Sequence, residues 1–242
     1  MIWRVAVGAL LLAACSGGES ERQLVVSAAS SLTNAFGEVA SAFEERHPGV
    51  SVVLNLGASS ALREQILNGA PADVFASADE ATMDAVINAS AAAGSEVFAH
   101  NRLVIAVASG NPADVSGLED LARTDLFVGL CAPSVPCGRL AALVLDTQGV
   151  VPAVDTYEPN VRSLVTKIGN GDLDMGLVYR SDVTGSSMVE GVGLPEDVDF
   201  ANDYHIAVLD RAREPDLATA FVEFLLSPEG VAIVVANGLE AP

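Results

Sequence analysis

Basic residues are scarce in this chain. Its 242 residues hold 12 Lys and Arg against 32 Asp and Glu, a net charge of −20. That shortage argues against nucleic-acid binding, because neutralising a phosphate backbone takes clustered cations. Aromatic residues make up only 5%, too few for a base-stacking platform or a broad aromatic cage. The three histidines, His47, His100 and His205, are scattered and sit in no recognisable catalytic motif. Past the N-terminus, no apolar run reaches the roughly 18 residues that a membrane span needs. Half of the residues are nonetheless hydrophobic and only 18% are charged, which suits a sizeable core and not a disordered chain. A chain of this length is expected to form one large domain or two small ones.

The N-terminus has the layout of a secretory leader. Met1 to Arg4 is a short positive start, and Val5 to Ala14 is a small or apolar run, within the about 7–15 residues of a leader and too short for a transmembrane helix. It ends in Leu12-Ala13-Ala14-Cys15, which resembles a bacterial lipobox. Residues 1–14 are then a lipoprotein signal peptide, Cys15 is the lipidated first residue, and residues 15–22 are a flexible tether. A plain signal peptide followed by a chance cysteine is the alternative. Several acyl chains, at about 0.8 kcal/mol per buried methylene, would hold such a protein on a membrane.

Cysteine is also rare, with three in all. Export places Cys131 and Cys137 outside the reducing cytosol, where a disulfide is the natural expectation and two free buried thiols the alternative. Their spacing is wrong for a C-x-x-C redox motif, and without nearby histidines they make a poor zinc site. Asp172, Asp174 and Asp182 lack the spacing and the glutamate of a calcium loop and read as solvated residues around a turn.

Hydrophobic periodicity alternates between strand and helix. Strands are expected at Leu24–Ala28, Val50–Leu56, Val74–Ser77, Leu103–Ala108, Phe127–Leu130, Met175–Tyr179 and Ile206–Leu209. Helices are expected from Leu32 through Phe43, at Leu62–Leu67, from Glu80 to Ala92, and at Leu140–Asp146, Val161–Ile168 and Leu217–Leu226. This is an α/β pattern with mainly parallel sheet, and it holds too many strands for one small sheet, so two lobes are expected.

Ligands of open α/β sheets sit beyond the carboxyl ends of strands, against helix N-termini. Four junctions have that character: Ser30-Ser31, Ala58-Ser59-Ser60, Val135-Pro136-Cys137-Gly138 and Glu158-Pro159-Asn160. Each offers hydroxyls or free amides at the positive end of a helix, a setting that attracts anions. Ordinary N-capping by Ser and Asn explains any one junction equally well.

The order of these motifs resembles that of the periplasmic molybdate-binding proteins of bacterial ABC importers. The matching stretches are Ala28-Ala29-Ser30-Ser31-Leu32-Thr33-Asn34-Ala35-Phe36, Gly57-Ala58-Ser59-Ser60-Ala61-Leu62 and the most specific, Gly69-Ala70-Pro71-Ala72-Asp73-Val74-Phe75-Ala76-Ser77-Ala78-Asp79. Asn101-Arg102-Leu103-Val104, Val135-Pro136-Cys137-Gly138, Pro159-Asn160-Val161-Arg162 and Gly176-Leu177-Val178-Tyr179-Arg180-Ser181-Asp182 follow in order. The resemblance spans the chain after the leader.

It implies a two-lobed periplasmic-binding-protein fold of type II that closes on molybdate or tungstate. Lobe 1 would take residues 23–101 and 203–242, and lobe 2 residues 102–202, with Arg102–Ala108 and Tyr204–Leu209 crossing the hinge. The implied oxyanion donors are Ser31, Ser59, the backbone amides of Cys137 (where many relatives have alanine) and Val161, and the Tyr179 hydroxyl. The metal centre of the anion would take no direct protein ligand. The resemblance further implies a non-enzymatic, monomeric receptor in the cell envelope, without cofactor, that hands its anion to a membrane permease. A fully ionised oxyanion offers only acceptors, so a site built of donors suits it, and charge-assisted hydrogen bonds can hold it without a full positive charge. Sulfate, of the same shape and charge, or another small oxyanion or organic anion is the alternative ligand. Phosphate, which can keep a proton, calls for an acidic acceptor that this set lacks. A lipid-anchored structural or adhesive module would not need four donor-rich junctions.

Overall fold

The computed structural model describes residues 22–195, 198 and 200–242. The signal peptide, Cys15 and the tether as far as Glu21 lie outside the described residues. Two similar α/β halves share one continuous sheet. In the first half, β1 (Arg22–Ala29), α1 (Thr33–Arg46), β2 (Val50–Gly57), α2 (Ser59–Leu67), β3 (Val74–Ser77) and α3 (Glu80–Asn88) alternate along the chain. β1 lies between β2 and β3 and pairs in parallel with both. In the second half, β5 (Val128–Cys131), α4 (Pro136–Gln148), β6 (Val154–Glu158), α5 (Val161–Gly169) and β7 (Met175–Tyr179) repeat the plan, with β5 parallel to both β6 and β7.

Two long strands join the halves. β4 (Glu96–Ala108) pairs antiparallel with β9 (Ala201–Val208) through Arg102, then with β7 from Leu103. At about 3.3 Å per residue, its 13 residues run about 43 Å, long enough to belong to both halves. The sheet is therefore mixed: parallel inside each half, and antiparallel wherever β4 or β9 takes part. The expectation of mainly parallel sheet holds for the two three-stranded cores and not for the crossing strands.

Each half has its own apolar core. Val26, Ala28 and Val74 on the first-half strands pack on Phe36, Phe43 and Phe221. Half of the few aromatics are spent here: Phe36 lies 5.8 Å from Phe98, and Phe43 lies 5.2 Å from Phe221 edge-on. The second core gathers Ile105, Val128, Leu164, Ile168, Met175 and Leu177. Among the described residues no single helix is long and apolar enough to cross a membrane.

Several elements escaped the periodicity reading. β6 reads Val-Asp-Thr-Tyr-Glu, a polar edge strand with one buried residue. β8 (Val189–Val192) is four residues and, among the described residues, pairs only with β4. α6 (Arg180–Val183) is a single turn, and α8 (Pro228–Ala236), which follows α7 (Pro215–Leu226), is apolar on nearly every face, so it carries no amphipathic period. Conversely, the helix expected to reach Ala92 stops at Asn88, and Ser90 adopts a left-handed φ of 55° in the turn that follows.

Candidate functional site

Five strands end at one place, and each carboxyl end delivers one of the expected donor residues. β1 leads into Ser31, β2 into Ser59, β5 through a short loop into Cys137, β6 into Val161, and β7 ends on Tyr179. All five residues line a single small cavity between the halves, together with Ala29, Ser30, Gly57, Ala58, Ala78, Val135, Pro136 and Asn160. None of these side chains is charged. All five are buried. The cavity is small, with a volume of about 10 Å³.

Helix N-termini supply the polarity. α2, α4 and α5 begin at this cavity, and α1 begins just beyond the single 3-10 turn Ser30–Leu32. First-turn amides have no acceptor inside their own helix, and each helix end carries about half a positive charge. The capping alternative can now be weighed junction by junction. Asn160 does cap, accepting the Ser163 N–H at 2.9 Å. No side chain caps α1, α2 or α4, so the Ser31 and Ser59 hydroxyls are not consumed by their helices.

What those hydroxyls do instead is informative. The Ala78 N–H donates to Ser59 Oγ at 3.0 Å, and Asn202 Nδ2 donates to Tyr179 Oη at 2.8 Å. Both oxygens therefore accept a hydrogen bond from the protein and keep their own hydrogen for another acceptor. Ser31 Oγ lies 2.8 Å from Tyr204 Oη, which also accepts from Asn101 Nδ2 at 3.3 Å. Burial pushes the Tyr179 and Tyr204 phenols well above their ordinary range, so both stay protonated.

Asn101, Ser181, Asn202 and Tyr204 were given no part in the site from the sequence, although Asn101 and Ser181 lie in the matching stretches. Asn101 stands on β4, and Asn202 and Tyr204 on β9, while Ser181 stands on α6 and accepts from Asn101 Nδ2 at 2.8 Å. The signal was available in part: Asn202 and Tyr204 are two apart in a strand and so share a face. Arg180, the cation nearest Tyr179 in sequence, does not line the cavity. β7 ends at Tyr179 and Arg180 opens α6, donating to Gly238 O at 3.1 Å and pairing with Glu240 at 3.0 Å.

Cys131 and Cys137 form the expected disulfide. It closes the loop between β5 and α4 and so holds the first turn of α4. A Cβ on Gly138 would collide with the Ala132 carbonyl in that loop, which is how closely the helix start sits on it. Among the described residues no group of three or more His, Cys, Asp or Glu is placed to hold a metal ion. Asp182 is not the solvated turn residue expected: it is buried and accepts the Tyr179 N–H at 3.2 Å. Burial pushes its carboxyl up to about 7, against the opposing pull of the Arg162 charge.

The model of the bacterial extracellular solute-binding protein family matches residues 24–240. The chain belongs to that family. A curated relative, the molybdate-binding protein ModA of Mycobacterium tuberculosis, is 39% identical over 226 residues, covering 93% of this chain and 87% of its own. Among solved structures, the periplasmic molybdate-binding protein of Azotobacter vinelandii superposes with a TM-score of 0.79 at 23% identity, over 90% of this chain and 99% of its own. The sulfate-binding protein SubI of M. tuberculosis superposes as well, at 0.80 and 19% identity, over 91% and 87%. These structural likenesses show the periplasmic-binding-protein fold.

Proposed function

We propose that this protein captures molybdate or tungstate between its lobes and delivers it to the permease of an ABC importer, without catalysis and without a cofactor. The observation that carries the reading is the cavity whose walls hold five donor positions and no charged side chain. Ser31, Ser59 and Tyr179 would give hydroxyl donors, and Cys137 and Val161 backbone amides. Each charge-assisted bond contributes about 1.5–3 kcal/mol, so five suffice for a dianion that must also be released. The small volume favours a compact ion, since organic ligands usually occupy about 300–1,000 Å³. The 39% identical relative supports molybdate over other ions of that size.

In this reading residues 23–101 and 203–242 form one lobe, 102–202 the other, and β4 with β9 the hinge. The protein acts as a monomer outside the cytoplasm, held to a membrane by lipid on Cys15. A Cys15→Ser variant of the full chain would then shift from the membrane fraction to the soluble fraction, and unchanged fractionation would remove the anchor from the reading.

The ligand is tested by thermal shift against molybdate, tungstate, sulfate, phosphate and chromate. A ligand at 100 times its dissociation constant stabilises by about 2.7 kcal/mol, which is readily seen. Stabilisation by molybdate and tungstate at concentrations where sulfate has no effect is the expected pattern. Sulfate shares their shape and charge, so a response to sulfate alone would transfer the site to that ion.

A further inference from the structure

Arg139 lies on the first turn of α4, two residues beyond Cys137, and its side chain crosses from the second half to the first. Nε donates to Asp79 Oδ2 at 2.9 Å, Nη2 donates to the same oxygen, and Nη2 also donates to Thr82 Oγ1 at 2.9 Å. The remaining nitrogen, Nη1, stays with its own half by donating to Ser134 O at 2.6 Å. Only a planar guanidinium fork can serve these three acceptors together.

Asp79 is equally committed. Its other oxygen, Oδ1, accepts the Thr82 N–H at 3.1 Å and so caps α3. It directly follows Ala78, whose N–H holds Ser59 Oγ. The pair therefore fastens the turn that carries the Cys137 amide to the turn that orients Ser59. On the other flank of the cleft, Arg162 Nη2 donates to Asn34 Oδ1 at 2.9 Å, a neutral partner and a single bond. The Asp79 side chain is only 12% exposed and that of Arg139 36%, so salt screens this contact less than a surface pair.

We propose that Arg139 is a positioning residue, whose bond to Asp79 holds the two halves together around the captured anion and sets the rate at which the anion leaves. The inference rests on the oxyanion reading above. A contact made only when the halves meet lowers the free energy of the closed form alone, and such a contact acts on dissociation more than on encounter.

The test uses the mature protein loaded with radiolabelled molybdate and chased with excess unlabelled molybdate. Arg139→Gln and Asp79→Asn are each expected to release the label about tenfold faster, with association changed by less than about twofold. Arg139→Lys, with one ammonium for three acceptors, should fall between them and the wild type. The double variant should release no faster than either single one, because both remove the same bond. Asn still accepts the Thr82 N–H, so Asp79→Asn keeps the α3 cap if Arg139→Gln folds poorly. Wild-type release rates in both single variants would overturn the proposal, as would a double variant whose effect is the product of the single ones. If the wild type takes up no molybdate, the oxyanion reading fails. If it binds and the variants release at its rate, only the role of Arg139 fails.

Discussion

The side-chain amide of Asn202, on crossing strand β9, donates to the phenolic oxygen of Tyr179 at the end of β7, 2.8 Å away. The bond ties a cavity hydroxyl to the strand that pairs with both β3 and β4. It also fills an acceptor site on Tyr179 Oη, leaving the O–H as a donor toward the cavity. Tyr179→Phe should weaken molybdate binding about 10–100-fold, the worth of one charge-assisted hydrogen bond. Asn202→Ala, which frees the phenol to rotate, should cost less. Titration calorimetry measures both, and unchanged affinity in Tyr179→Phe would take Tyr179 out of the site.

The disulfide holds the loop that presents the Cys137 amide. Closing so short a loop should contribute about 2 kcal/mol to stability. We expect a Cys131→Ser/Cys137→Ala variant to melt earlier and also to bind more weakly, because the donor would have to be ordered at the moment of binding. A lower melting temperature with unchanged affinity and release would make the bridge a stability device alone.

Asp182 gives a pH dependence whose direction follows from burial. Its carboxyl is pushed up to about 7 from 3.8, so between these values the folded protein holds a proton that the unfolded chain has lost. The associated stability is complete below about pH 4, declines as pH rises, and is gone above about pH 7. At 1.36 kcal/mol per unit, its size is on the order of 4 kcal/mol. Asp182→Asn keeps an acceptor for the Tyr179 N–H, and its melting temperature should therefore fall less than the wild type's from pH 4.5 to 7.5. Parallel melting curves for the two proteins would contradict this.

Net charge governs encounter more than affinity. A chain of −20 repels an approaching dianion over the Debye length, which is about 8–10 Å in physiological salt. The association rate for molybdate should accordingly rise as inert salt is added. Stopped-flow mixing reads it directly, and a rate that falls with salt would reveal a basic funnel at the cleft mouth.

The parallel strands with an amphipathic helix after them were legible because each repeats its apolar residues locally. Val74–Ser77 and Met175–Tyr179 match their expected bounds residue for residue. Elements whose burial depends on distant partners were not. β6 is polar because it is an edge, and the first half of β4 was missed because Glu96, His100 and Arg102 interrupt its apolar run.

The sequence by itself determined the alternation of strand and helix and the donor chemistry at each strand end, and it led to the expectation that Cys131 and Cys137 pair, as they do. These are local properties of residue type and spacing. Only the tertiary structure decided that five strand ends separated by more than a hundred residues share one cavity. It alone set Asn202, Tyr204 and Asn101 behind the hydroxyls, and it alone brought Arg139 onto Asp79. Such contacts depend on how β4 and β9 cross between the halves, and that crossing is written in pairing register across the chain, where no local pattern records it.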